Sequence, residues 1–335
     1  MDDRLLGRTG IRVSRLCFGT MSFGDVADEA TSAAMYRRCR EEGINFFDCA
    51  NVYSAGRSEE ILGSLIAGER DRIVLTSKVG FPTGSDPNDR GLSPRHIRSS
   101  VEASLRRLGT DRLDFLFVHT FDPDTPMEET LRALDRLVRQ GKVLHTGASN
   151  WAAWQLAKGL GISAALDLSA FSCAQPMYNL AKRQAEVEIL PLARAEGLGV
   201  ITYSPLGGGL LTGKYGVEKR PERGRLVEND VYRVRYGAES YYETADRLAA
   251  YAKGRGVHPA TLAIAWVAHH PAITAPIIGA RNVEQLEPSL AAADFAMDEE
   301  TYAELSALSP TPPPATDRNE ERVGLAYKGS EEKYR

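Results

Sequence analysis

Eight short apolar runs recur along this chain, and a helix-like stretch follows each of them. The runs are "RLCFG" near residue 16, "INFFD" near 44, "RIVLTSK" near 73, "LDFLFVH" near 114, "VLHTGAS" near 143, "LSAFSCAQ" near 169, "LGVITYS" near 198 and "APIIGA" near 275. They are rich in β-branched and aromatic residues and too short for helices, so each reads as a buried strand. Strand and helix alternating eight times leave few architectures open. The expectation is an α/β chain folded as a single (β/α)8 TIM barrel spanning residues 1–335. An open doubly wound sheet is the alternative. Its nucleotide-binding form wants G-x-G-x-x-G after the first strand, and "TMSFGDVADEA" stands there instead.

Two of the intervening stretches carry helix end signals. "SPRHIRSSVEASLRRLG" offers Ser93 as N-cap, Pro94 in the first turn and Gly109 as the stop. "TPMEETLRALDRLVRQG" repeats the design with Thr125, Pro126, acidic residues in the first turn and Gly141 at the end. The gap from about 204 to 274 is far longer than the others. It contains an irregular Arg- and Tyr-rich insert, 216–240, and at least two helical segments. Long loops in compact domains are usually functional or disordered, so the insert reads as a lid, with Arg225, Tyr232 and Tyr236 as candidates to meet a polar substrate. The Pro-rich tail, 309–335, reads as an extension outside the core.

Composition narrows the partners. The net charge is −4 and no long run of Lys or Arg occurs, so the sequence points to no nucleic-acid partner. No apolar run reaches the ~20 residues of a membrane span. The charged opening "MDDRLLGRTGIRVSRL" lacks the apolar centre of a secretory signal. Cys17, Cys39, Cys49 and Cys173 show no C-x-x-C spacing and read as reduced thiols of a cytoplasmic protein. Nothing in the sequence excludes a homo-oligomer.

Chemistry in such barrels sits at the C-terminal ends of the strands. The second strand ends at Asp48, the third at Lys78 and the fourth at His119. The fifth ends in Ser149 and Asn150, the sixth in Gln175, and the seventh in Tyr203 and Ser204. Taken singly, each has a bland reading as a solvated or structural residue. Taken together, they put a charged or hydrogen-bonding group on one rim, strand after strand. Asp48, Tyr53, Lys78 and His119 suggest acid–base work. A free Tyr has a pKa near 10, and lowering it by two to three units needs roughly 3–4 kcal/mol. A Lys ammonium about 4 Å away supplies ~1 kcal/mol in bulk water and ~4 kcal/mol at an effective dielectric of 20. The expectation is therefore a Tyr53 hydroxyl with a lowered pKa in a shielded site. Asp48 would hold Lys78 charged, and His119 would donate a hydrogen bond to a substrate oxygen.

Three chemistries could use this rim. A metal hydrolase is disfavoured, because the six His form no H-x-H or H-E-x-x-H pattern. A Schiff-base aldolase needs Lys78 neutral, which Asp48 opposes. Hydride transfer needs a proton donor beside a nicotinamide. Asn150 and Gln175 can pair with a carboxamide, and Tyr203 offers a flat face for stacking. "SPLGGGLLTGKY" bears on the same choice. From Gly208 to Lys214 it matches G-x-x-x-x-G-K, but Tyr215 stands where a P-loop needs the Ser or Thr that binds magnesium. The glycines suit a dinucleotide's pyrophosphate, with Lys214 as counter-charge.

Residues 4 to 295 resemble the aldo-keto reductase family, in its bacterial and potassium-channel β-subunit-like branch. "FDCANVYSAGRSEEILG" is similar to the family's Asp-(x)4-Tyr segment and "LTSKVG" to its lysine strand. "VHTFDPDTPMEETLRALDRLVRQGKVLHTGASNW" resembles the run from its histidine strand to its Ser-Asn strand end. "ITYSPLGGGLLTGKY" resembles the pyrophosphate loop, and "IIGARNVEQLEPSL" the adenosine-phosphate segment. The resemblance implies a barrel with an N-terminal β-hairpin and a long insertion after its seventh strand, binding NADP(H). It implies reduction of a small-molecule carbonyl, with hydride from the nicotinamide and a proton from Tyr53, assisted by Asp48, Lys78 and His119. It implies a cofactor site of Gly19, Thr20, Met21, Asp48, Ser149, Asn150, Gln175, Tyr203, Ser204, Pro205, Leu206, Gly208 and Lys214, continued by Ile278, Gly279, Ala280, Arg281, Gln285 and Ser289. Arg281 is the natural partner of a 2′-phosphate. Ala280, Pro288 and Ser289 depart from the residues frequent there. Phe23, Phe121 and Trp151 are candidates to touch substrate, while Phe81 and Trp154 lie on or near the same loops. A cofactor-binding, redox-sensing regulatory subunit is the alternative reading.

Overall fold

The computed structural model describes residues 2–318. All eight apolar runs form strands. A short antiparallel hairpin of β1 (Asp3–Leu5) and β2 (Arg12–Ser14) comes first. The barrel then runs β3 (Cys17–Gly19), β4 (Phe46–Asp48), β5 (Val74–Val79), β6 (Leu113–Val118), β7 (Val143–Ser149), β8 (Phe171–Gln175), β9 (Gly199–Thr202) and β10 (Ala275–Ile278). Every neighbouring pair is parallel, and β10 pairs with both β3 and β9, so the sheet closes. Helices return the chain between strands: α1 (Glu29–Glu41), α2 (Arg57–Ile66), α3 (Pro94–Leu108), α4 (Met127–Arg139), α5 (Ala153–Ala165) and α6 (Ile189–Glu196). The long gap holds α7 (Arg225–Glu228), α8 (Asp230–Arg235), α9 (Glu239–Arg255) and α10 (Pro259–His269), and α11 (Val283–Leu290) and α12 (Glu299–Ser306) follow β10. The tail from Ser309 is described to residue 318 without a regular element, and its remainder lies outside the described residues.

Helix ends follow local chemistry. Ser93 caps α3 by accepting from the His96 N–H, Pro94 opens it, and Gly109 at φ 61 ends it. At α4 the cap is Pro126 and not Thr125. The Thr125 hydroxyl donates instead to Asp122 at 2.7 Å, which fixes the loop after β6.

Strand alternation builds two cores. In β6, Phe115 and Phe117 point into the barrel, while Leu116 and Val118 face the helices. The inner core gathers Cys17, Phe46, Phe115, Phe117, Cys173, Ile201, Ala275 and Ile277. Gly147 has no room for a side chain, because a Cβ would lie 2.4 Å from Phe117 Cε1 and 2.8 Å from the Cys173 carbonyl. Leu6 and Val13 of the hairpin join this inner core. Arg4 Nη1 donates to the carbonyls of Ala268, in the last turn of α10, and Ile273, just before β10, and Asn45, just before β4, accepts from the Ser14 N–H. The hairpin therefore corks the N-terminal end of the barrel and leaves the C-terminal end open. The four cysteines are buried and free.

Candidate active site

Beyond the last inner-core residue of each barrel strand, the same alternation brings a polar residue or glycine to the open rim. Phe46 leads to Asp48, Val74 to Thr76 and Lys78, Phe117 to His119, Gly147 to Ser149, Cys173 to Gln175 and Ile201 to Tyr203. Cys17 and Ile277 lead to Gly19 and Gly279. The interior changes from apolar to polar within one strand period.

The structure brings Asp48, Tyr53, Lys78 and His119 together. Lys78 is buried, and its ammonium donates to Asp48 Oδ2 at 2.6 Å, to the Cys49 carbonyl at 2.7 Å and to the Tyr53 hydroxyl at 3.2 Å. Asp48 Oδ1 accepts from Thr76 Oγ1 at 2.7 Å and from Gln175 Nε2 at 2.9 Å. Thr76 is a site residue the sequence reading missed, although its place two residues before Lys78 already put both on one face. Burial is the largest influence and opposes a charged Lys78, but Asp48 and Tyr53 together outweigh it and the ammonium's pKa is raised. The Tyr53 hydroxyl departs from expectation. Burial pushes it up to about 12, and the nearby Lys78 charge only partly offsets this.

His119 is buried beside Tyr53, with ring centroids 6.0 Å apart. Burial first, and then the Lys78 charge, holds its pKa well below 6.5, so the imidazole is neutral. Its Nδ1 meets no hydrogen-bond partner among the described residues. As pH falls through 6.5, the unfolded chain takes up a proton here that the folded chain refuses, so this site makes folding weaker toward acid pH. Urea midpoints from pH 7.5 to 5 are expected to fall more steeply for the wild type than for His119→Gln. Parallel slopes would remove His119 from this role.

The expected nicotinamide-holding residues form a connected set. Ser149 Oγ donates to the Gln175 carbonyl at 3.0 Å. Asn150, left-handed at φ 59, donates to the His119 carbonyl at 2.8 Å and accepts from the Tyr203 hydroxyl at 2.6 Å. Gln175 connects the set to Asp48. Gly19 and Met21 lie on the rim, with Met21 38% exposed. Thr20 is fully buried and its side chain is committed to the Asp48 carbonyl and to Ser58. It therefore supports the site from behind.

The glycine loop is not a P-loop. Gly207, Gly208, Gly209 and Gly213 all have positive φ, and no helix follows Lys214 until α7. Pro205 is buried beneath the loop, and Ser204 is left-handed at φ 56. The Asn179 amide holds the Ser204 carbonyl at 3.0 Å. A Cβ on Gly209 would lie 3.4 Å from the Lys214 ammonium, so that cation sits directly over bare backbone. Burial, with the charges of Arg281 and Arg225, lowers the pKa of Lys214, while Glu228 opposes them. Glu228 stands 3.8 Å from Arg281. The backbone cradle and the three cations fit an anion such as a dinucleotide phosphate.

The insert lies over this loop. Tyr232 and Leu226 pack against Gly208, and Tyr236 is fully buried against Gly207, with Asn179 donating to its hydroxyl. Arg225 stacks on Tyr232. The insert therefore roofs the glycine loop, and Tyr236 is not free to meet a substrate. At the other end of the cradle, Ile278 closes β10 and Gly279, Ala280 and Arg281 lead into α11, where Asn282 caps the Gln285 N–H. Gln285 is exposed, and Ser289 is buried, with no hydrogen-bond partner for its Oγ among the described residues.

Of the candidate substrate residues, two are buried. Phe23 is fully buried against Phe18, because the chain folds back to pair Phe23 with Ala27. Trp151 is 5% exposed, wedged between Phe121 and Phe171. Phe121 is partly buried. The exposed aromatics here are Phe81, 36% exposed and 4.5 Å from the His119 ring, and Trp154, 60% exposed and edge-on to Phe121.

This geometry defines a parallel barrel with a buried proton-holding cluster on its open rim and an anion-fitting loop beside it. The sequence profile of the Aldo/keto reductase family matches residues 15–310. The protein named "Uncharacterized oxidoreductase YrpG" of Bacillus subtilis is 40% identical over 93% of this chain and 97% of its own length. A "Probable voltage-gated potassium channel subunit beta" of Arabidopsis thaliana is 38% identical over 88% of this chain and 92% of its own. A "Norsolorinic acid reductase" of Aspergillus flavus is 34% identical over 91% of this chain and 80% of its own. The chain belongs to the aldo/keto reductase family. Its family and its oxidoreductase-named relatives support an oxidoreductase, and members of this family generally bind NAD(P)H. Among the described residues no helix is long and apolar enough to cross a membrane, and no group of three or more His, Cys, Asp or Glu could hold a metal ion.

Proposed function

We propose that this chain is a cytoplasmic, single-domain NADPH-dependent reductase of an aldehyde or ketone, with Tyr53 as proton donor. The observation that carries this reading is the Lys78 ammonium, shared between Asp48 and the Tyr53 hydroxyl in a buried site. Tyr53 keeps its proton throughout the neutral range because its pKa is pushed up to about 12. It can then give that proton to an oxygen as negative charge develops there. The phenolate left behind faces an ammonium 3.2 Å away. At an effective dielectric of 20, an ion pair at about 4 Å is worth ~4 kcal/mol. Neutral His119 polarises the carbonyl by hydrogen bonding and adds no competing charge. Ser149, Asn150, Gln175 and Tyr203 would hold the nicotinamide, and Gly207–Gly209 with Lys214 the pyrophosphate. When bound, the nicotinamide supplies the hydride to the carbonyl carbon. Arg281 would take the 2′-phosphate, exchanging its contact with Glu228 for a bidentate one.

The test is a screen of aldehydes, ketones and sugar-like carbonyls that follows NADPH absorbance, repeated with NADH and with Arg281→Ala. Wild type is expected to turn over carbonyls with NADPH. Arg281→Ala is expected to weaken NADPH by about 10- to 100-fold, the worth of a hydrogen bond to a charged group, with little change for NADH. Equal loss for both cofactors would remove Arg281 from the 2′-phosphate. Bound NADPH without turnover would favour the second reading, a redox-sensing regulatory subunit, which the likeness to the potassium-channel β-subunit relatives supports.

A further inference from the structure

Three residues separate Tyr53 from α2, and all three are left-handed: φ is 49 at Ser54, 52 at Ala55 and 94 at Gly56. Gly56 adopts this conformation readily. Ser54 is tied down by its hydroxyl, which donates to the Phe23 carbonyl at 2.8 Å. Ala55 has no side-chain group to compensate. A turn that opposes the preference of its own residues persists only where the surroundings over-determine it.

The surroundings include an ion pair behind the site. Arg107, from the last turn of α3, lies so close over Gly56 that a Cβ there would be 2.8 Å from both its Cδ and its Nε. Glu59 of α2 holds this guanidinium, accepting from Nε at 2.7 Å, with Nη2 at 2.6 Å. Glu59 is fully buried, and its other oxygen accepts from Ser77 Oγ at 2.5 Å. Ser77 immediately precedes Lys78 in β5. One buried carboxylate thus connects the strand that carries Lys78 to the guanidinium resting on the turn that carries Tyr53. A buried ion pair is weak evidence for stability, since apolar groups of similar volume often hold a fold as well; its better-attested use is to fix a geometry.

We infer that Glu59 and Arg107 are positioning residues, which act through Ser77 and the Gly56 turn to fix the Tyr53 hydroxyl against the Lys78 ammonium. Neither touches the reacting atoms. The inference rests on the proposed carbonyl reduction, and the test separates the two. In the double variant Glu59→Gln/Arg107→Met, neutral groups of similar size replace both charges. Its kcat is expected to fall by about 10- to 100-fold, as for a displacement near 1 Å at a reacting group, with the NADPH Kd within about twofold of wild type. Adding Ala55→Gly supplies a residue that takes the left-handed conformation unaided, and is expected to restore most of the lost kcat. A purely structural role would not show this rescue. If the double variant does not fold, Arg107→Lys serves in its place: it keeps the charge but lacks the planar group over Gly56, and the same loss and rescue are expected. A retained kcat, or a loss that Ala55→Gly does not relieve, overturns the inference. A wild type that turns over no carbonyl overturns the reductase reading, and this inference with it.

Discussion

Tyr53→Phe is expected to lower the rate of carbonyl reduction by about 10²- to 10⁴-fold, the usual worth of a positioned general acid. Binding of NADPH should stay within about twofold, because the substitution leaves the cofactor cradle alone. It also leaves the cluster standing, since the Lys78 ammonium keeps Asp48 at 2.6 Å and the Cys49 carbonyl at 2.7 Å. The pH dependence should carry the same signature. A hydroxyl with a pKa pushed up to about 12 remains a proton donor across the neutral range, so Tyr53 imposes no loss of reduction rate there. In the direction of alcohol oxidation the phenolate is needed, and the rate should climb with pH toward that value. The Phe variant should show neither behaviour. Full turnover in it would mean that another group supplies the proton.

The second large effect concerns folding. Lys78→Met leaves Asp48 buried without its cation, and breaking a buried pair in this way costs about 3–5 kcal/mol. Thr76 and Gln175 still donate to Asp48 Oδ1, so the lower end of that range is expected. The pH window follows from the direction of the shift. Lys78 has a raised pKa in the folded chain, so its contribution is fully present below its ordinary 10.5 and is lost only as pH rises through the folded value. The full loss should therefore appear at pH 7. Urea midpoints check it, and Lys78→Met/Asp48→Asn should recover part of the stability because no charge is then stranded. Equal midpoints for the single and double variants would show that the stranded charge is not the cause.

The barrel was legible because each strand is short, buried on both faces and bounded by turn residues. Asp48, Lys78 and His119 were legible because inner-face side chains continue at a period of two, so Phe46 leads to Asp48 and Phe117 to His119, whereas Tyr53 lies past β4 on a turn outside that rule. The same rule applied to β5 would have found Thr76. What depended on the path of loops was not legible. Phe23 and Phe81 each lie just past a strand, but one turns back into the core and the other is 36% exposed beside His119. The insert reads as a lid over the active face, but sequence could not show that Tyr232 and Leu226 pack on Gly208. The Tyr53 expectation had the wrong sign for a related reason. The Lys78 charge acts as argued, but burial outweighs it, and burial is set by the whole fold.

The hairpin that corks the barrel also gives the molecule a handle. Arg4, Leu6 and Val13 bind the closed end, and the reacting rim lies a full strand length away on the opposite face. A tether fixed ahead of β1 therefore orients the molecule with its mouth toward solvent. An immobilised layer of the protein would hold every open rim and every glycine loop on the side of the liquid phase.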